Sequence, residues 1–177
     1  MLDAFDNVLR CFNFILMVIA MAFISALLNT TNHNSSRVNF CMFAVAYGIT
    51  TDSFYGLIAN FWQPLAMPII LAVLDFLNFV FMLTAGSVLA SGIRAHSCKN
   101  EAYRNGNSII QGSENRCRMS QAAVAFLFFS MGVFLAKLIM SVINVFSNGA
   151  FSTSSFNPRS SRRNKQQPSG VPNISEV

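Results

Sequence analysis

With 177 residues, 53% hydrophobic and only 11% charged, the chain carries less than half the charge of an ordinary soluble domain, where about 25% is usual. Its net charge of +5 comes from basic residues beside apolar blocks, which argues against nucleic acid as a partner. There is no Gly-rich phosphate loop, no His–Glu metal motif and no nucleophile–base pair, so no catalytic residue, cofactor or metal site is expected.

Spanning the hydrocarbon takes about 20 helical residues. Four apolar blocks meet that length: 8–28, 38–61, 65–89 and 122–146. None shows the dyad alternation of a membrane strand. The expected fold class is therefore an all-α membrane protein, a four-transmembrane-helix bundle within 1–150, followed by a disordered C-terminal tail at 151–177 that is basic, rich in Ser and poor in apolar residues. Before the first block, Asp3 and Asp6 stand against a single Arg10, the wrong balance for a signal-peptide leader, and the block reads as a retained helix. The first connection is short and polar. The second is little more than Trp62-Gln63-Pro64, where Pro64 forces a turn.

The third connection, about thirty polar residues, is bracketed by Cys98 and Cys117. A disulfide there would stabilise the loop by roughly 3 kcal/mol, and it would form only on an oxidising face, leaving both termini in the cytoplasm. Two free thiols in a cytosolic loop are the alternative. Counts of Lys and Arg on the two sides do not decide the orientation. Sequons at Asn29, Asn34 and Asn173 lie too close to the membrane or on the cytoplasmic side, and none is expected to be used.

Three charges interrupt the apolar blocks: Asp52, Asp75 and Lys137. Asp52 precedes Gln63 by 11 residues and Asp75 follows it by 12. Both are then about 17 Å from the turn, with Lys137 within about one helical turn of that depth. Asp75 shares a helical face with Asn78, and Lys137 shares one with Ser130, Ser141 and Asn144. This intramembrane polar seam has two readings. Lys137 bridges the two carboxylates and holds the bundle together, or the carboxylates relay a proton or cation in a small transporter or proton-coupled exporter. Four short helices leave little room for a substrate cavity, which favours the first.

Several segments carry a resemblance. Leu27-Leu28-Asn29-Thr30, Asn34–Phe43, Leu74–Phe81, Ile93–Cys98, Gln121–Phe126 and Ser147–Phe151 together resemble the fungal non-classical export protein family, tetraspan proteins with a MARVEL-type domain. The resemblance implies a multi-pass plasma-membrane protein with cytoplasmic N- and C-termini. It implies residence in furrow-like domains (eisosomes), which such proteins organise in response to sphingolipid or membrane status, together with a link to non-classical protein secretion. Implied partners are membrane lipids (sphingolipid, sterol or anionic lipid) and eisosome scaffold proteins, with a homo-oligomer as a further possibility. At the cytoplasmic end, Gly149, Phe151, Arg159, Arg162, Arg163 and Lys165 form a candidate lipid or scaffold contact, since basic residues beside a span favour anionic headgroups. Gly149 equally suits a helix C-cap, and the basic residues equally suit a solvated flank.

Overall fold

The computed structural model describes residues 4–30, 35–56, 58, 68–94 and 96–148. Its helices are α1 (Ala4–Asn29), α2 (Ser36–Gly48), α3 (Pro68–Ile93), α4 (Glu101–Gly106) and α5 (Glu114–Asn148), with a π-helical segment, Ile49–Phe54, continuing α2. Among the described residues, three helices are long and apolar enough to cross a membrane: Phe5–Asn29, Ile69–Ile93 and Glu114–Ser147. The fourth expected span falls on α2 and the π-helical segment, and its last residues, from 59 on, lie outside the described residues with the turn at Trp62–Pro64.

One spacing builds the interior. On α1 the buried residues include Asp6, Arg10, Asn13, Met17, Ala20, Ile24 and Leu27. On α3 they include Leu71, Asp75, Asn78, Met82, Ala85 and Leu89, and on α5 Ser120, Ala123, Leu127, Ser130, Phe134 and Lys137. Steps alternating between three and four residues keep one narrow stripe on the partner helices, as in a left-handed bundle. α5 packs against α1 and α3, and α2 packs against both of those, so α2 and α5 face each other across the diagonal. Neighbours run antiparallel. At one end the stripes are apolar, joined by Val38, Cys41, Leu89, Ile93 and Cys117. At the other they are polar.

The π-helical segment corrects the expectation of an uninterrupted α-helix. The Tyr55 amide donates to the Thr50 carbonyl five residues back. The hydroxyls of Thr50 and Thr51 donate to the carbonyls of Ala46 and Tyr47, both at 2.8 Å. Two successive threonines thus compete for the carbonyls that an α-helical ladder would use, and the ladder slips by one residue.

The third connection is shorter and more ordered than the sequence suggests. α5 begins at Glu114, two turns before the apolar run at 122, so Cys117 lies on a helix and the connection spans 94–113. Arg94 leaves α3 with φ 51, the left-handed conformation that ends many helices. Asn107 then works from both ends of its amide. Its Nδ2 donates to the Gly92 carbonyl at 3.0 Å, and its Oδ1 accepts from the Ile109 amide at 2.9 Å. Ile109 and Ile110 close the apolar end of the core. Arg116, on α5, donates to the Ile109 carbonyl at 2.8 Å, to the Leu27 carbonyl at 3.0 Å and to Thr30 Oγ1. A disulfide joins Cys98 to Cys117.

Candidate functional site: a buried charge cluster

Lys137 is the centre of the polar end. Its ammonium has no exposure and pairs with Asp52 Oδ1 and with Asp75 Oδ1, the latter at 3.0 Å. The Phe134 ring lies one turn away, 5.1 Å from the ammonium to its centroid. Lys137 therefore reaches across the bundle diagonal to the π-helical segment and sideways to α3. Ser141 Oγ donates to Asp75 Oδ2 at 2.8 Å.

Asp52 has further partners on α1. Arg10 Nη1 donates to Asp52 Oδ1 at 2.6 Å and to its backbone carbonyl at 3.3 Å, while Asn13 Nδ2 donates to Asp52 Oδ2 at 3.2 Å. Arg10 Nε pairs with Asp6 Oδ2, one turn earlier, at 2.7 Å. Gly56 permits this approach: a Cβ there would lie 2.9 Å from Arg10 Nη1. Two cations and three carboxylates thus form one continuous network, drawn from all four sides of the bundle.

Asp52, Asp75 and Lys137 do meet in the structure, with Ser141 beside them. Asn78 belongs to a neighbouring pair: its Nδ2 donates to Thr51 Oγ1 at 2.9 Å. Asn144 is half-buried and has a partner of its own. Ser130 is fully buried, and its hydroxyl has no hydrogen-bond partner among the described residues. Gly149, Phe151, Arg159, Arg162, Arg163 and Lys165 lie outside the described residues.

Sequence reasoning missed Arg10, Asp6 and Asn13, and Arg10 is corrected here from a flanking charge to a buried one, 8% exposed. The missed signal was the α1 stripe, which continues through all three positions at the same spacing as Met17, Ala20 and Ile24. The depth also shifts. At 1.5 Å per residue, Arg10, Asp52 and Asp75 lie about 24–28 Å from the disulfide-side ends of their helices. The cluster is therefore off-centre, nearer the face where α1 starts, where a charge costs less than at the bilayer midplane. A lateral groove of about 330 Å³ between α1 and the π-helical segment, lined by Asn7, Arg10, Cys11, Phe14, Ser53, Phe54 and Gly56, reaches the edge of the network.

Helices of membrane-crossing length, an apolar outer surface and a charge network locked inside define a multi-pass helical membrane protein. The profile of the MARVEL membrane-associating domain matches residues 4–140. Among relatives, Non-classical export protein 2 of Saccharomyces cerevisiae is 60% identical over 177 residues, and its homolog 1 in the same yeast is 50% identical, each over 100% of both chains. Non-classical export protein 102 of Candida albicans is 46% identical over 178 aligned positions, again spanning 100% of both. No solved structure matches the chain. The chain belongs to the non-classical export protein family of MARVEL-domain membrane proteins.

Proposed function

We propose that this protein is a non-enzymatic organiser of furrow-like plasma-membrane domains (eisosomes) that responds to sphingolipid or membrane status, with a link to non-classical export through its relatives' names. The observation that carries this reading is the closure of the charge network: the side chains of Lys137 and Asp52 have 0% exposure and that of Asp75 has 3%. Charges spent on one another hold helices together; they are poorly placed to carry a solute. Large apolar side chains, including Phe12, Phe43, Phe76 and Phe129, face outward, where lipid chains would cover them. Two spans of 25 residues are about 37 Å long, against a hydrocarbon core of about 30 Å, so the surrounding bilayer must thicken or the helices tilt. Mismatch of that size sorts proteins and lipids laterally, which is the physical basis of domain organisation.

In this reading α2 and the π-helical segment belong to a fourth span, and the disulfide-closed end faces the oxidising exterior, with both termini in the cytoplasm. In intact cells treated with reductant, a membrane-impermeant maleimide should label Cys98, the partly accessible half of the disulfide. Labelling only after permeabilisation reverses the orientation.

The function itself is tested by imaging furrow domains in cells lacking this protein. Furrows should be lost, then restored by the wild-type chain and equally by the variant Asp52→Asn, Asp75→Asn, Lys137→Met. Furrows that persist without the protein defeat the organiser reading. The competing reading, a transporter working through Asp52, Asp75 and Lys137, has the lateral groove at Arg10 on its side. It requires transport by the purified protein in vesicles, abolished by that same triple variant.

A further inference from the structure

The second polar feature of the molecule lies at the opposite end of the bundle. A pocket of about 820 Å³ opens where α2 begins and α3 ends, lined by Arg37, Arg94, His96, Tyr103, Asn107 and Ser35 among others. No carboxylate lines it among the described residues. Two other arginines of this region do face carboxylates. Arg104 faces Glu101 at 3.7 Å and Glu114 at 3.8 Å, and Arg118 pairs with Glu114 at 2.5 Å. The side chains of Arg37 and Arg94, by contrast, make no ion pair or hydrogen bond among the described residues.

The pocket is also shaped around these groups. Arg37 lies against the last turn of α3, where a Cβ on Gly92 would come within 3.0 Å of its Nη1. The His96 ring is held edge-on by Tyr103, with centroids 5.3 Å apart. Tyr103 and Asn107 both donate to the Ile93 carbonyl, so this wall is fixed by hydrogen bonds to the helix end. Two guanidinium groups around one cavity repel each other unless an anion sits between them, and their forked donors match the oxygens of phosphate. Arg94 directly follows α3, one of the long apolar helices, and Arg37 lies against that same helix end, which is the depth of lipid headgroups.

We propose that this pocket binds a phosphate-type oxyanion, either on a phospholipid headgroup or free. The site is separate from the charge cluster and does not depend on the domain-organising role. The test uses the purified full-length chain, offered phosphatidylglycerol in nanodiscs and, in parallel, inorganic phosphate. Lipid retention is read by native mass spectrometry and phosphate binding by thermal shift. Arg37→Gln/Arg94→Gln should retain about tenfold less of the bound species, while Arg118→Gln, an exposed arginine outside the pocket, should match wild type. Intact disulfide and unchanged helix content establish that the variants fold. Should the double variant fail that check, Arg37→Gln and Arg94→Gln singly should each weaken binding about threefold. Lipid retained in the presence of excess phosphate identifies a headgroup site, and lipid displaced by phosphate identifies a site for the free oxyanion. Binding of neither probe, equal binding by the arginine variants and wild type, or an equal loss in Arg118→Gln overturns the proposal.

Discussion

Replacing Lys137 with methionine alone should destabilise the protein by about 3–5 kcal/mol, the usual consequence of leaving a buried ion without its partner. Asp52 would keep Arg10 and Asn13, whereas Asp75 would lose its cation and keep the hydroxyl of Ser141. Removing all three charges, as Asp52→Asn, Asp75→Asn, Lys137→Met, should do less damage than the single change. Arg10 then still pairs with Asp6 at 2.7 Å, and the neutral amides no longer carry charge into the bundle. Thermal unfolding of the purified protein in detergent gives the order of the two variants. A triple variant as unstable as Lys137→Met, or less stable, rules out the network as the reason these residues tolerate burial.

The second large effect is expected at Arg116. It is 5% exposed and its guanidinium ties three places together: the last turn of α1 through the Leu27 carbonyl and Thr30, the inward-folded connection through the Ile109 carbonyl, and α5 itself. Arg116→Met keeps much of the packing volume but strips those acceptors of a charged donor, at a cost of about 2–4 kcal/mol. Arg118, two residues on, is 67% exposed in its side chain and pairs only with Glu114 in its own helix. Arg118→Met should cost little, since exposed ion pairs of this kind contribute about 0–1 kcal/mol. The same unfolding measurement compares them, and equal losses would remove Arg116 from its role as the tie between α1 and the connection.

Much of the cluster was legible before any coordinates. A charge in the middle of an apolar run stands out because burial in lipid is expensive, and that cost pointed to Asp52, Asp75 and Lys137 together. Arg10 and Asp6 escaped because they stand near a helix start, where a charge reads as an ordinary flank. Only the continuation of the α1 stripe through Asn13 marked them as inward-facing. The order of the third connection was less accessible still. Nothing local in Asn107 or Arg116 announces that one will satisfy the end of α3 and the other the end of α1, since their acceptors lie on other elements.

By itself, the sequence determined the membrane class, the apolar helices and the presence of opposite charges at a shared depth, because hydropathy and helical rise are properties of each segment alone. The tertiary structure decided which charges pair: Lys137 across the diagonal to Asp52, Arg10 from α1 onto the same carboxylate, and Asp75 held between Lys137 and Ser141. Pairing depends on the rotation of each helix about its axis and on its distance from its neighbours. Those quantities arise only when the stripes of all the helices pack together.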